Sequence, residues 1–444
     1  MAAAFWLMHA LLDAQVLTSQ YNNAHTGATL SEIILTPANV SPRQFGKIFS
    51  LKVDGDVYAQ PLYVPHVEIP GQGAHDLLIV ATEHDSVYAF DAEGRPRALL
   101  WHINFLSSAV TTVSAREADC SFIRPEIGIT PTPAIDAVTG TIYVLACTRE
   151  DSGIFKGYRF VQKLHALALT TGAEKFGGPV EIRASVKGRG DESSGGAVSF
   201  NPLRELPRAG LLLANGSVLL TWGSSCDVSP YHGWVMAYDA RTLAQKAVLN
   251  TSPDAQQSGV WQSDNAPAAD EDGNIYVATG NGDFDVVRGG RDYGDTLLKL
   301  NPSLAVRDYF TPFNERQLNA DDDDLGSGGP VLLPKFPGSQ RRLVLVGGKG
   351  GVLYILDRYN LGKFHAGGDS DAVQTYRFRG GIYSAAAYWN QHIYILAEAI
   401  IFPILPLSMG ISRGSRSSWG LRAFRTPAPR PLYPRTALAT AWFG

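Results

Sequence analysis

One local pattern recurs along this chain and limits what it can fold into. Residues 76–105 hold three short runs rich in β-branched and aromatic residues, separated by polar turns with Gly, Pro and acidic side chains. Such runs are typical of antiparallel strands joined by tight turns. A turn, an apolar strand and a second strand that ends near a polar residue then return repeatedly. The later copies are 140–147 with 162–169, 218–223 with 233–239, 273–279 with 295–300, 342–346 with 351–357, and a sixth that begins at 391–396 without a second half.

Each copy follows a segment of small residues. The segments are 58–61, 130–134, 195–197, 265–268, 328–330 and 384–387. Small side chains at one fixed place are expected where repeated sheets converge on an axis, because bulky side chains would collide there. Proline is tolerated mainly at sheet edges and strand starts, which suits an innermost strand. We therefore predict an all-β fold, a β-propeller of four-stranded antiparallel blades with five complete blades and one partial blade. An incompletely closed ring is the alternative to a closed one.

Composition is compatible with this fold and excludes some partners. Successive copies lie roughly 55 to 75 residues apart, longer than minimal propeller repeats of about 40 to 50, and the excess would lie in loops. Hydrophobic residues make up 45% of the chain and charged residues 18%, with 45 glycines, as in a turn-rich all-β protein. The net charge of -4 gives no reason to expect a nucleic-acid partner. We expect a monomer with a small-molecule or carbohydrate ligand and no integral membrane segment, because the apolar stretch 399–407 is short and broken by two prolines.

The two ends differ from the repeats. Residues 1–16 resemble the remainder of a secretory signal without its basic start, which favours a secreted or periplasmic protein; an ordinary N-terminal helix is the alternative. We assign 17–398 to the propeller. Within it, 20–42 is predicted to be polar connecting chain, and 45–53 to be a strand lent to the last blade to close the ring. Residues 399–444 are basic and rich in Pro and Arg, and we expect a disordered tail.

The tail and the cysteines leave alternatives open. A shifted reading frame that replaced the true end would give such a tail, and the chain would then be a truncated, non-functional propeller; a genuine basic tail is the other interpretation. Cys120, Cys147 and Cys226 could form one disulfide plus a free thiol, or remain three reduced thiols. Their spacings match no zinc motif.

The repeats resemble the pyrroloquinoline quinone (PQQ) repeat, in which a strand of the form Tyr-Ala-apolar-Asp precedes a turn and Leu-Trp. The best copy is 87–92 with Gly94 and Leu100-Trp101, and 236–240 and 167–172 are degenerate copies. Longer stretches are similar to secreted bacterial quinoprotein-like propellers without an assigned activity. These stretches are 125–130, 231–235, 259–263, 278–282 and 324–330. The resemblance covers about residues 17 to 398 and is specific for the fold rather than for an activity.

The resemblance implies two hypotheses about function. The first is an exported ligand-binding or scaffold module with its ligand on the loop face or in the axial channel. The alternative is a PQQ- and calcium-dependent dehydrogenase of an alcohol or sugar, with Glu126 and loop aspartates in the metal and base roles. PQQ-dependent alcohol dehydrogenases carry a pair of adjacent cysteines over the quinone, an acid-and-amide calcium site and a catalytic Asp. This sequence has no adjacent cysteine pair, and we assign no catalytic residue.

Four residues are candidates for binding a cofactor or ligand. Glu126, Trp261 and Gln262 lie just before small-residue segments and could project into the mouth of the channel, where an acid, an indole and an amide could bind a planar or sugar ligand. Closure of the channel is the structural alternative. His232, together with His84, is a candidate acid or base, against an ordinary loop or packing histidine.

Two acidic loops are candidate calcium sites. Asp321 and Asp323 belong to four consecutive aspartates, and Asp283 and Asp285 to the loop 281–295, which also holds further carboxylates and glycines. Carboxylate oxygens are the ligands that calcium prefers, but neither loop has the spacing of an EF-hand, and solvated loops are the alternative. The segment Gly347–Gly351 is predicted to be a hairpin turn rather than a phosphate loop. A Gly-x-Ser-x-Gly match at 410–414 lies in the tail and is rejected.

Overall fold

Short antiparallel strands account for nearly all the regular structure of the chain. The computed structural model describes residues 15–94, 98–153, 157–263, 265–336 and 339–398, together with a strand at 404–406. The predicted strand pairs occur as the two middle strands of successive sheets. Five sheets have at least four strands and a sixth has three. The predicted propeller, with five complete blades and one partial blade, is confirmed.

Blades one and two follow each other directly. Blade one has the strand order β1-β2-β3-β4. Its strands are β1 (Leu62–Ile69), β2 (Gly73–Ala81), β3 (Ser86–Asp91) and β4 (Leu99–Asn104). Blade two has long middle strands, one of which pairs with an additional strand from the preceding loop, and a second additional strand pairs with the first. Its strands are β5 (Val110–Ser114), β6 (Glu126–Ile127), β7 (Ala134–Asp136), β8 (Thr141–Asp151), β9 (Tyr158–Ala168) and β10 (Val180–Glu181).

A two-stranded hairpin separates blade two from blade three. Its strands are β11 (Ser185–Lys187) and β12 (Ala197–Ser199). Blade three has the order β14-β15-β16-β17, and a short additional strand also pairs with β15. The strands are β13 (Glu205–Leu206), β14 (Leu212–Ala214), β15 (Ser217–Ser224), β16 (Trp234–Asp239) and β17 (Gln245–Asn250).

Blades four to six contain the only helical turns of the described chain. Blade four has β18 (Ala268–Ala269), β19 (Ile275–Ala278), β20 (Leu297–Leu300) and β21 (Val306–Phe310), with a 3-10 turn at Val286–Arg288. The helix α1 (Glu315–Asp321) and a 3-10 turn at Leu325–Ser327 lead into blade five. Blade five has β22 (Val331–Leu332), β23 (Leu343–Gly347), β24 (Val352–Asp357) and β25 (Gln374–Arg377). Blade six has β26 (Ala387–Trp389), β27 (His392–Tyr394) and β28 (Ile404–Pro406).

The hydrophobic core is a series of layers between neighbouring blades. One layer joins residues of blades one and two, and others join two to three, three to four, four to five and five to six. Trp222 and Trp234, both fully buried, belong to the layer between blades two and three. Each fully buried aliphatic or Phe side chain in such a layer contributes about 1.5–3 kcal/mol. Among the described residues, no such layer joins blade six to blade one.

The tryptophan of the best repeat copy packs against the following blade. Trp101 Nε1 donates a hydrogen bond of 3.0 Å to the carbonyl oxygen of Leu169 in blade two. Gly172 has a φ of +71°, and a Cβ there would lie 2.8 Å from the indole. The repeat motif is therefore a packing motif in this chain, whatever the propeller binds.

The small-residue segments meet at the centre of the propeller. Gln60 N donates to Thr132 Oγ1 at 2.9 Å, and Leu211 N donates to the Thr132 carbonyl oxygen at the same distance. Gly210 N in turn donates to the carbonyl oxygen of Asn265 at 2.8 Å. Asn265 Nδ2 reaches the Gly328 carbonyl oxygen of blade five at 3.2 Å. The lead-in segments of blades one to five are thus linked in order around the axis.

Two predicted elements are wrong. Gly195–Ala197 is not the innermost segment of blade three, because Gly195 and Gly196 have φ values of +62° and +78° and form the turn of the hairpin β11-β12. The innermost strand is β14. Residues 45–53 form no strand and pair with no blade. Ile48 in that range is 91% exposed, while Leu51 and Val53 pack on the outer face of blade one.

The ends of the chain are described only in part. The predicted signal segment 1–16 lies outside the described residues except for its last two. The strand β28 lies beyond the predicted boundary at 398 and pairs with β27. The rest of the predicted tail lies outside the described residues. No helix in the described part of the chain is long and apolar enough to cross a membrane.

Candidate functional site

A cavity of about 480 Å³ lies at the axis, which we call the axial cavity. The lead-in segments of blades one to four form most of its wall, with Ser19 and Gln20 of the N-terminal segment. Its lining residues are Ser19, Gln20, Val57, Tyr58, Ala59, Gln60, Pro61, Ile123, Thr130, Thr132, Arg208, Gly210, Ser263 and Asn265. The sequence predicted such a channel lined by small-residue segments.

Among the described residues that line this cavity, Arg208 is the one with a charged side chain. It precedes β14, and its guanidinium carbon lies 5.9 Å from the centroid of the Trp261 ring, within cation–π range. Burial raises the pKa of Tyr58 in the same wall, Glu83 and Asp56 raise it further, and Arg208 lowers it. The cavity therefore combines one cation with hydroxyl and amide groups.

Trp261 is held in a gap that only glycines leave open. A Cβ on Gly223 would lie 2.9 Å from the indole, and one on Gly280 would lie 2.6 Å from it. The Tyr231 ring packs edge-on at 6.0 Å between centroids. Trp261 Nε1 is buried and has no hydrogen-bond partner among the described residues. The indole is therefore fixed in position beside Arg208.

A lysine and two aspartates form a charged cluster near this tryptophan. Lys349, in the predicted and observed hairpin turn between β23 and β24, has its Nζ 2.5 Å from Asp324 and 3.0 Å from Asp322. Asp324 Oδ1 also accepts a hydrogen bond of 2.8 Å from Asn281 N. Burial opposes the charge of Lys349, but the two aspartates hold its pKa above the ordinary value. Burial raises the pKa of Asp324 although Lys349 lowers it.

The two cations act on a common carboxylate. Burial and the nearby Asp322 raise the pKa of Asp227, whereas Lys349 and Arg208 both lower it. Asp227 directly follows Cys226, which forms a disulfide with Cys120. Cys147 is a buried free thiol. Of the two alternatives for the cysteines, the structure therefore has one disulfide plus a free thiol, not three reduced thiols.

The four predicted binding residues are not in one place. Glu126 lies between blades one and two, where its Oε1 is 2.9 Å from Nδ1 of His84 and its Oε2 accepts from Thr112. Trp261 lies by the axial cavity. Gln262 is fully buried, and its Oε1 accepts a hydrogen bond of 3.0 Å from Ala278 N, which is a structural contact.

His232 has a structural environment as well. It is 3% exposed, and its ring lies between the carbonyl oxygens of Ser252 and Asp191, at 3.0 and 2.9 Å. The ring therefore joins the hairpin region after blade two to the end of blade three. His84, in contrast, has a side chain that is 40% exposed and paired with a carboxylate.

The predicted metal residues lie in two loops with separate roles. Asp285 Oδ1 accepts a hydrogen bond of 3.0 Å from Asp292 N inside its own loop, and Asp283 follows strand β19 in the same loop. Asp321 ends helix α1 and accepts from Gln317, and Asp323 follows it in the next turn. In the described part of the chain, no group of three or more His, Cys, Asp or Glu side chains could hold a metal ion.

Sequence reasoning missed several buried carboxylates between blades. Glu83 is 1% exposed and accepts from Gly128 N and Thr130 Oγ1, and burial raises its pKa to about 7. Burial also places the pKa of Asp85 well above its ordinary value, with Glu83 adding to the shift. Burial, Asp85 and Glu83 likewise raise the pKa of the Cys147 thiol. In the sequence, Glu83 and Asp85 lie in a polar turn between two strands, and nothing in that local pattern indicates that they are buried.

Arg208 and Lys349 were missed for another reason. Arg208 lies in the lead-in segment of blade three, whereas the composition of the sequence predicts that segment at 195–197. Lys349 lies in a turn whose geometry was predicted, but whose acidic partners come from the preceding inter-blade segment. The apolar run 211–213 before an Asn-Gly turn is the sequence signal for β14, and Arg208 lies just before that run.

Comparison with known proteins identifies the fold and not the activity. No protein-family model matches the chain, and no curated protein matches its sequence. The structure is similar to quinohemoprotein alcohol dehydrogenase ADHIIG from Pseudomonas putida HK5, with a TM-score of 0.58, 16% identity, and coverage of 86% of this chain and 57% of that one. The enzyme of the same name from Comamonas testosteroni gives a TM-score of 0.58 and 17% identity over the same shares. A europium-containing methanol dehydrogenase gives 0.53 and 15%, covering 82% of this chain and 58% of that one.

These similarities show that the chain has a β-propeller fold like that of the quinoprotein dehydrogenases. At such low identity they show the fold alone. The chain spans a little under three fifths of the length of these enzymes.

Proposed function

We propose that the protein is an exported, quinoprotein-like β-propeller that binds a small carboxylate-bearing molecule, of the size of a sugar acid, in the axial cavity. The observation that supports this proposal is a cavity of about 480 Å³ in which Arg208 is the one charged side chain among the described lining residues. Pockets for small molecules usually measure about 300–1,000 Å³ and contain a few placed polar groups.

The chemistry of the wall selects the ligand class. A guanidinium binds a carboxylate through charge-assisted, often bidentate hydrogen bonds. The hydroxyls of Thr132 and Ser263 and the amide of Gln60 suit a hydroxylated ligand body. The Trp261 ring lies 5.9 Å from the guanidinium carbon of Arg208. Export is supported by the Cys120–Cys226 disulfide, because disulfides persist mainly in oxidising compartments.

Calorimetric titration with gluconate and with glucose tests the proposal. Gluconate should bind more tightly than glucose, and Arg208→Gln should weaken gluconate binding at least about tenfold, because a hydrogen bond to a charged group contributes about 1.5–3 kcal/mol. Arg183→Gln is the matched control, since the Arg183 side chain is 75% exposed and pairs with Glu181. Equal affinity for both sugars, no binding of either, or an Arg208→Gln variant that binds like the parent would contradict the proposal.

A second candidate function is a PQQ- and calcium-dependent dehydrogenase of an alcohol or sugar. It is favoured by the names of the structural neighbours and by the carboxylate of Asp324 and the amide of Asn281 beside Trp261. The residues as arranged do not fit calcium, however. The Asp324 carboxylate already binds Lys349 and Asn281 N, and the ammonium group lies where a cation would be held. No catalytic step is therefore derived through a quinone or a metal.

Adding PQQ and calcium to the purified protein separates the two candidates. The ligand-binding function predicts no quinone absorbance band and no reduction of an electron-accepting dye with alcohols or sugars. A stable band together with dye reduction that is lost in Asp324→Asn would overturn it in favour of the dehydrogenase.

A further inference from the structure

The N-terminal segment 16–27 contacts the innermost strand of every blade, in chain order. It has almost no regular secondary structure, with one β-bridge between Val16 and Tyr63. Val16 and Tyr63 of blade one exchange two hydrogen bonds of 2.9 Å, and Ile135 N of blade two donates to Leu17 O at 2.8 Å. Asn23 Nδ2 donates to Leu213 O of blade three, and Ala269 N of blade four donates to Asn23 O, both at 2.8 Å. Leu332 N of blade five donates to Ala24 O at 2.8 Å, and Tyr388 N of blade six donates to Thr26 O at 2.7 Å.

The segment is buried at its turns. Thr18, Ser19 and His25 are 5%, 1% and 0% exposed. The His25 ring lies 3.1 Å from the Ser19 carbonyl oxygen and 3.0 Å from that of Pro267, and a neutral ring donates to one of them. Gly27 has a φ of +63°, and a Cβ there would lie 3.0 Å from the Cβ of Ala387 in blade six.

These contacts lie on the innermost strands of the blades, where backbone groups would otherwise lack a partner. The innermost strand of each blade is a sheet edge with unpaired N–H and C=O groups. The core layers join blades one to six in order, and none among the described residues joins six back to one. The predicted closing strand at 45–53 does not exist. The segment itself connects these two blades, since Val16 contacts blade one and Thr26 contacts blade six.

We infer that residues 16–27 are an axial clasp that holds the six described blades together and connects blade one to blade six. Ser19 and Gln20 of the clasp also form part of the wall of the axial cavity. The clasp is therefore a structural device of its own, and its test does not depend on which ligand the cavity binds.

A cleavable version of the whole chain tests the clasp. A protease site is placed at 30–34, where Leu30, Ile33 and Ile34 are 85%, 83% and 75% exposed. The cut protein is separated from the freed N-terminal peptide in mild denaturant, and amide hydrogen exchange is measured before and after. The amides to follow are those that donate to the clasp, namely Ile135, Ala269, Leu332 and Tyr388.

Removal of the peptide should speed exchange at these amides at least tenfold, with a smaller effect in the central strands β8, β19 and β23. A synthetic peptide of residues 15–28 should restore the protection. Unchanged exchange at the four amides after the peptide has been removed would overturn the inference. Loss of protection throughout the chain that the peptide reverses also supports it.

A point variant decides the case in which the cut protein does not recover. His25→Ala leaves two buried carbonyl groups without the ring and should speed exchange selectively at the inner strands of blades three and four. His365→Ala is the control, because its side chain is 57% exposed and contacts only Asp371 among the ion pairs of the described residues. Equal exchange in both variants would count against the clasp.

Discussion

Gly280 shows how a single hydrogen atom can determine the geometry of the candidate site. A Cβ at this position would lie 2.0 Å from Asp324 Oδ1 and 2.6 Å from the Trp261 ring. Both neighbours are buried, and the carboxylate is paired with Lys349, so neither can move without breaking another contact. The absence of a side chain is therefore what lets the indole and the ion pair lie side by side.

Replacing this glycine should be costly. Gly280→Ala should lower the free energy of unfolding by about 1–3 kcal/mol, the usual effect of forcing an extra methyl group into a filled interior. Chemical denaturation followed by tryptophan fluorescence measures the change. Gly367→Ala is the control, since a Cβ there meets nothing within 4 Å and the backbone is not left-handed. Equal stability of the two variants would show that the packing around Trp261 is loose.

A second residue-scale feature is the set of carboxylates buried between blades. Glu205 is 2% exposed, and its Oε2 accepts a hydrogen bond of 2.7 Å from Asn201 N. Burial raises its pKa to about 8, although hydrogen bonds from Asn201 and other neighbours lower it. The folded state therefore keeps a proton that the unfolded chain releases near pH 4.5.

The raised pKa of Glu205 makes the stability of the folded protein depend on pH. A raised folded-state pKa stabilises the protein fully below the unfolded value, and this stabilisation is lost as the pH rises toward about 8. Each such group can contribute a slope of up to about 1.4 kcal/mol per pH unit in this window. Urea denaturation between pH 5 and pH 8 should show stability falling, with a smaller fall in Glu205→Gln. Parallel curves for parent and variant would mean that Glu205 is ionised when folded.

Only part of this residue-scale detail could be predicted. An indole just before a small-residue segment predicts a place at the channel mouth, and the Trp261 ring lies 5.9 Å from the guanidinium carbon of Arg208 in the cavity wall. Glu83 and Asp85 could not be recognised as buried, because a polar turn on a strand pair has the same sequence pattern whether or not the next blade covers it. Burial of that kind depends on contacts between blades, which local patterns do not record.

At the scale of elements, the disulfide links two loops of neighbouring blades. Cys120 lies in the segment before blade two's inner strand and Cys226 in the loop between β15 and β16, with their Cα atoms 5.1 Å apart. Ile123, close to Cys120 in sequence, lines the axial cavity. The bond thus fastens part of the cavity wall to blade three.

Removing this cross-link should weaken the fold measurably. Cys120→Ala with Cys226→Ala should lower the free energy of unfolding by about 2–5 kcal/mol, because the bridge closes a loop of 106 residues in the unfolded chain. Denaturation of the parent with and without dithiothreitol should show the same loss, and the double variant should be insensitive to the reductant. If dithiothreitol leaves the stability of the parent protein unchanged, Cys120 and Cys226 are not joined.

The middle strands were the most predictable elements. The predicted pair 218–223 and 233–239 corresponds to β15 and β16, and 342–346 with 351–357 to β23 and β24, because buried β-rich runs between turns define such strands locally. Short inner strands such as β14 were harder to place. Two glycines at 195–196 resembled an axial segment in composition, but their positive φ values belong to a hairpin turn.

At the scale of the whole molecule, the propeller was predictable because six copies of one pattern can bury their faces only against one another. The axial cavity was predictable in outline, since small-residue segments had to converge somewhere. The chemistry of the cavity was not predictable, because Arg208 and Tyr58 come from different blades. The clasp was missed entirely, since its residues have the composition of an ordinary polar connection.

The order in which the ribosome makes the chain gives the clasp a further consequence. Val16 to Thr26 leave the exit tunnel before any of the six sheets, but Thr26 can contact Tyr388 only after the first strand of the sixth sheet has been synthesised. These residues are therefore synthesised long before most of their partners. Nascent chains halted before Tyr388 emerges cannot form the contact with blade six, and polar backbone groups of the innermost strands then stay without the clasp as a partner.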